Sequence, residues 1–211
     1  MADDIPAKDL IFEDKTDETL IKKPGEILGN DFMILNLENC DVYLLDFTAQ
    51  ITIDDCVNCR FLIGPCEGSI FFRDCKNIKV TAACAQFRLR DVTDSDFCLY
   101  STSEPSIETS TNVKFGPFNG GYPHLDEHFR SAKLETTDNK WSQIFDFNKP
   151  EEGRNWGLLN ISEFEQENYK AIDGMSAPIN PVGLPIQYGG SVDEPFIVGA
   201  QGQAQDGDMM S

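Results

Sequence analysis

The sequence predicts an all-β protein: a right-handed parallel β-helix of about five coils, with a short helical and aromatic cap and an extended C-terminal arm. Three observations predict it. Stretches beginning at Asn36, Asp55, Asp74 and Asp91 repeat one pattern at steps of 19, 19 and 17 residues, and a weaker copy begins at Thr109, 18 further on. A fixed period of about 20 residues marks a solenoid, whose units bury their apolar faces only by stacking. Within each unit the apolar residues alternate, as in Val42 and Leu44, Phe61 and Ile63, Val80 and Ala82, and Phe97 and Leu99. A spacing of two belongs to strands, whereas a helical repeat places apolar residues three and four apart. Finally, Asn39, Asn58, Asn77, Asp94 and Asn112 recur at one place in the unit. There a short polar side chain can turn a corner and bond the amide of the coil above.

Residues 1–30 are polar and charged and read as an extension that leads into the solenoid through Lys22-Lys23-Pro24-Gly25. Residues 31–160 form the domain, with coils to about 118 and a cap from 119. In the cap, Gly120-Gly121-Tyr122-Pro123 is a turn and His124 to Lys133 a short helix. Trp141, Ile144, Phe145, Phe147, Trp156, Leu158 and Leu159 then supply apolar cover for the open end of the last coil. Such cover is needed because an unpaired β edge invites association. Residues 161–211 are rich in Pro, Gly and Gln without periodicity, the composition of an extended arm.

Composition excludes several function classes. Lys and Arg number 17 against 36 Asp and Glu, a net charge of −19. That balance disfavours nucleic acid and anionic membranes and favours basic protein patches. The seven cysteines read as reduced thiols packed as small hydrophobes. Cys56-Val57-Asn58-Cys59 has no second pair or His at zinc spacing, and His124 with His128 lacks a third ligand, so no metal is expected. No run approaches the ~20 apolar residues of a membrane span.

The outward face of the strand Cys84–Asp91 carries the chemistry. Alternation turns Phe87 and Leu89 inward and Gln86, Arg88 and Arg90 outward. The repeat places Thr52, Phe71 and Ser106 level with Arg88, and Asp54, Arg73 and Glu108 level with Arg90. Adjacent strands lie about 4.8 Å apart, so Glu108 is within reach of Arg90 directly and of Arg88 on the diagonal. An arginine held by a carboxylate beside an outward ring reads as an interaction spot. The same residues also fit a solvated charge ladder that keeps the face soluble.

From Asp9 to Leu159 the chain resembles the cofactor-C-like domain family, which tubulin-binding cofactor C shares with the X-linked retinitis pigmentosa protein, the nearer of the two. The segments that carry the resemblance are Ile51–Cys56, Gly68–Arg73, Cys84–Asp91, Ile107–Gly116, Trp141–Ile144 and Asn155–Leu159. The family implies GTPase activation, with Arg88 as the arginine finger, Gln86 as its positioning neighbour and Glu108 holding Arg88 extended. Phe71, Arg73 and Arg90 are then expected to contact the partner. The partner implied is an Arf-like small GTPase or tubulin, with GTP and Mg²⁺ on the partner and no cofactor here. The expected setting is cytoplasmic, at a cilium, axoneme or basal body. The alternative is a non-catalytic scaffold of an axonemal or microtubule assembly, with axonemal proteins along residues 165–211. Two departures matter. Ala85 stands where the retinal member has the first of two glutamines, and Met1-Ala2-Asp3-Asp4 offers no acylation site, so no lipid anchor is expected.

Overall fold

The computed structural model describes residues 5–164 and 181–184. It is a parallel β-helix, as the repeat requires. A 3₁₀ turn, Ala7–Asp9, precedes the strands β1 (Ile11–Thr16), β2 (Thr19–Lys22), β3 (Phe32–Glu38), β4 (Asp41–Leu44), β5 (Ile51–Asp54), β6 (Arg60–Arg73), β7 (Lys79–Arg90), β8 (Thr93–Ser101), β9 (Ser106–Glu108) and β10 (Thr111–Pro117). After helix α1 (Leu125–Ser131) come β11 (Phe145–Asp146), β12 (Trp156–Leu158) and helix α2 (Ile161–Phe164).

The strands stack on two broad sides, every pair parallel. One side runs β1, β3, β5, the end of β6, the end of β7, β9 and β11. The other runs β2, β4, the start of β6, the start of β7, β8, β10 and β12. β6 and β7 serve both sides because they bend in mid-strand, where the register shifts between Ile63 and Cys66 and again before Ser69. A narrow third side is closed by backbone bonds such as Glu67 to Thr48 and Thr102 to Cys84.

Each coil turns between its two broad sides through a pair of left-handed residues three apart. These are Asp14 and Asp17, Asn36 and Asn39, Asp55 and Asn58, Asp74 and Asn77, Asp91 and Asp94, and Thr109 and Asn112, with φ between 47° and 58°. Asn and Asp tolerate that region better than other non-glycine residues because the short polar side chain bonds locally. At the second member, Asn77 donates to Asn58 (2.7 Å), Asn58 to Asn39 (3.2 Å) and Asn39 to Asp17 (3.0 Å). Asn112 donates to Asp94 (2.7 Å). Asp94 carries only acceptors and has no proton to pass to Asn77, so the ladder falls into two runs.

Two expectations are corrected. The stretch 1–30 is not merely an extension: β1 and β2 form a full first coil, paired in register with β3 and β4. Its signal is Asp14-x-x-Asp17, the corner spacing of every later coil. The cap differs in its aromatic residues. Trp141 and Leu159 are buried and Ile144 and Trp156 pack on the core, but Phe145, Phe147 and Leu158 are exposed. β11 and β12 extend the two sides by a partial coil instead of lying across the end, so part of their side chains face outward. Helix α1 covers a flank, with Phe129 against Tyr100 and Phe118 at 5.4 and 5.9 Å.

The interior is an aromatic spine. Phe61, Phe72, Phe87, Phe97, Phe115 and Trp156 follow one another at centroid separations of 5.3–6.4 Å. All seven cysteines are free and buried. Burial pushes the thiols of Cys59 and Cys66 up to about 12 and 11, so they stay protonated and unreactive at neutral pH. Of the expected arm, α2 and residues 181–184 are described, and Val182 is buried against the core. The expectation of axonemal partners along 165–211 otherwise lies outside the described residues. Among the described residues no helix is long and apolar enough to cross a membrane.

Candidate functional site

The arginines lie on the side built from β1, β3, β5, β6, β7, β9 and β11, in the register the repeat predicts. Met33, Thr52, Phe71, Arg88, Ser106 and Phe145 form one outward row, each opposite the next. Leu35, Asp54, Arg73, Arg90 and Glu108 form the row beside it. Gln86, exposed, pairs with Ser69. Strand alternation makes both rows possible, since Ile53, Phe72, Leu89 and Ile107 between them point into the core.

Two of the three arginines are committed. Arg73 grips Asp54 with both Nε (2.7 Å) and Nη2 (2.5 Å), and the carboxylate beside it holds its guanidinium firmly protonated. Arg90 Nε donates to Glu108 Oε2 at 2.9 Å. Arg88 is exposed and has no carboxylate partner among the described residues. The expectation that Glu108 holds Arg88 is therefore corrected. The level partner wins over the diagonal one, because directly opposite side chains are closer than diagonal ones.

Phe71 is the centre of the group. Its ring has the guanidinium carbons of Arg88, Arg73 and Arg90 over it at 4.9, 5.4 and 5.6 Å. The sequence reading assigns Phe71 to partner contact, yet the ring is half-buried and already occupied by three cations. Apolar contact area lies instead at the ends of the rows. Met33 is 44% exposed at one end, and Phe145 and Phe147 are 50% and 63% exposed at the other. Those two rings meet edge to face at 4.9 Å. The arrangement is a cationic centre between apolar margins, suited to an anionic group on a protein surface.

Sequence reasoning missed a second polar cluster. Asp46, 1% exposed, accepts through Oδ2 from the backbone N–H groups of Gly25, Ile27 and Leu28 at 2.8–3.0 Å. Its Oδ1 lies 3.5 Å from His128 Nε2, and His128 Nδ1 lies 2.9 Å from the Tyr122 hydroxyl. Burial pushes the His128 imidazole below its usual range, with Asp46 opposing, and pushes the Tyr122 phenol well up. His128 thus shares a hydrogen bond with the Tyr122 hydroxyl, whose direction follows the imidazole tautomer, and sets its other nitrogen beside the Asp46 carboxylate. Gly64 makes room, since a Cβ there would meet the Tyr122 hydroxyl and the Asp46 carbonyl at 2.4 Å. His128 is thus a core group that clamps α1 to the loop before β3, and it does not join His124 on a solvated helix face. Lone glycine and histidine residues outside the period gave no sequence signal for this contact.

The family model for tubulin binding cofactor C matches residues 29–147, which include every residue of both rows of the arginine face. The chain belongs to the tubulin binding cofactor C family. It is 37% identical over 193 residues to Protein XRP2 of Mus musculus, spanning 88% of this chain and 55% of that protein. Protein XRP2 of Danio rerio is 46% identical over 155 residues, 74% of this chain and 41% of that protein. Tubulin-specific chaperone C of Homo sapiens is 28% identical over 155 residues, 72% of this chain and 45% of that protein. This cofactor C family chain spans about half the length of the curated relatives it matches. A solved structure of tubulin binding cofactor C from Leishmania major shares its fold, with a TM-score of 0.51 at 21% identity over 64% of this chain and 94% of that one.

Proposed function

We propose that this chain activates GTP hydrolysis by a partner of the Arf-like small GTPase or tubulin class, supplying Arg88 as an arginine finger in trans. The observation that carries the reading is the commitment of Arg73 to Asp54 and of Arg90 to Glu108, which leaves Arg88 the uncompensated cation of the face. A guanidinium spreads charge over the phosphate oxygens as the bond to the leaving group breaks, and a finger supplied in trans is worth roughly 10³–10⁵ in rate. Gln86, exposed on the same strand two residues earlier, helps position Arg88 or contacts the nucleotide. GTP, Mg²⁺ and the water-orienting group belong to the partner. Met33, Phe145 and Phe147 give the partner apolar area at both ends of the face. The relatives' names support tubulin as one candidate partner, and the family resemblance supports the Arf-like class and a setting at cilia, axonemes or basal bodies.

Single-turnover GTP hydrolysis by an Arf-like GTPase, and separately by tubulin, measured with this chain and with its Arg88→Ala variant, tests the proposal. Acceleration of a hundredfold or more that vanishes with Arg88→Ala is the expected result; the same acceleration from both proteins would reject it. A second reading, a non-catalytic scaffold in a microtubule assembly, draws on the exposed Phe145 and Phe147, which provide docking without chemistry. Targeting that survives Arg88→Ala, with no acceleration by either protein, would favour it.

A further inference from the structure

The ring of Phe71 stands in the same relation to three arginines that need holding for different reasons. Arg73 and Arg90 have carboxylates of their own, Asp54 and Glu108, which fix their positions and neutralise their charge. Arg88 has neither among the described residues, and an exposed arginine on a strand loses much rotamer freedom when it is fixed. What it does have is the nearest approach to the ring, 4.9 Å from guanidinium carbon to centroid, with Phe71 directly opposite it in the register. We propose that Phe71 is a positioning residue for Arg88, a rest that orders the guanidinium before the partner arrives. The inference rests on the arginine-finger reading above.

The chemistry favours a ring over an acid in this place. A carboxylate would hold Arg88 but would also occupy its N–H donors and cancel its charge, leaving a phosphate to compete for it. The face of an aromatic ring attracts the cation through its quadrupole, and the attraction consumes no N–H donor. The charge therefore stays available to an incoming anion. The two ion pairs flank the ring on the next row, so their guanidinium groups cover it and keep it from turning away. This explains why a large apolar side chain sits outward among charges, half-buried.

The test uses the full chain and the variants Phe71→Leu and Phe71→Tyr; Leu keeps an apolar outward group and Tyr keeps the ring. NMR of the arginine side chains, with Arg88 assigned by Arg88→Lys, reads the resting contact without any partner. Upfield ring-current shifts of the Arg88 side-chain protons are expected in the wild type and in Phe71→Tyr, and are expected to disappear in Phe71→Leu. Hydrolysis by GTP-loaded Arf-like GTPase at saturating chain reads the consequence. Phe71→Leu should slow the saturated rate by roughly two- to fivefold, the worth of one exposed cation–ring contact, with the half-saturating concentration unchanged. Phe71→Tyr should restore it. If Phe71→Leu raises the half-saturating concentration and leaves the saturated rate intact, the ring is a partner contact and the inference is overturned. Absence of ring-current shifts in the wild type would overturn it as well. A different pattern marks failure of the finger reading itself: wild-type shifts present, but rates equal for wild type and Arg88→Ala.

Discussion

The two broad sides of the solenoid settle their charges differently. On the side of β4, β6, β7, β8 and β10, the outward row reads Asp41, Arg60, Lys79, Asp96 and Lys114, and Glu163 pairs with Lys114. Acids and bases balance there: Arg60 Nε donates to Asp41 at 2.8 Å, and Lys79 and Lys114 oppose the rise that burial imposes on Asp96. On the other side, three arginines share one ring and two carboxylates. The same strands, β6 and β7, carry both patterns, so the fold does not dictate the imbalance. A compensated ladder is what solubility and register need. An uncompensated cation in the middle of an interaction face is what a site for an anion needs.

The largest expected effect breaks that comparison directly. Arg88→Ala should reduce stimulated GTP hydrolysis by roughly 10³ or more, whereas Arg60→Ala on the compensated side should leave it unchanged. Arg60→Ala should lower stability by about 1 kcal/mol or more, measured by urea unfolding, because it takes a charged partner from the buried Asp41 carboxylate. If the two variants behaved alike in hydrolysis, the difference between the sides would have no functional content.

Next in size is the interior cluster, which belongs to neither face. Asp46→Ala strips the acceptor from the N–H groups of Gly25, Ile27 and Leu28 and from His128, and should cost about 3 kcal/mol or more in chemical denaturation. A loss under about 1 kcal/mol would mean that water replaces the carboxylate and that the loop is not tied through it.

The smallest expected effect is on pH dependence. Burial holds the His128 imidazole below its ordinary 6.5 in the folded chain. The unfolded chain therefore binds that proton more readily, and stability rises with pH between the folded value and 6.5. The contribution is complete above 6.5 and is lost as the pH falls from there through the folded value. Thermal unfolding between pH 7 and 4.5 should show a shallower loss of Tm on acidification for His128→Gln than for the wild type. An unchanged profile would place the titration elsewhere.

The rows of the arginine face were legible in the sequence because a repeat of fixed step leaves no freedom of register. Counting from corner to corner put Phe71 and Ser106 on either side of Arg88, and Arg73 and Glu108 on either side of Arg90, as the pairing has them. The rest failed for physical reasons. The first coil was overlooked because Asp14 lies 22 residues before Asn36, outside the step of the later coils. The partner of Glu108 was misassigned because the family resemblance pointed to the diagonal Arg88, whereas register favours the level Arg90. The exposure of Phe145 and Phe147 followed from two short strands that continue the sheets, and the aromatic content of the segment gave no sign of them. Asp46, Tyr122 and His128 meet at the flank that α1 covers, and no period connects residues in a flank helix to a loop before the second coil.

The most direct test of Arg88 as the uncompensated cation uses a mimic of the transferring phosphate. Binding of this chain to an Arf-like GTPase carrying GDP is compared with and without aluminium fluoride, by calorimetry. A transition-state charge stabilised by Arg88 predicts tightening on the order of a hundredfold with fluoride, lost in Arg88→Ala and retained in Arg60→Ala. Equal tightening in the wild type and Arg88→Ala would contradict the account.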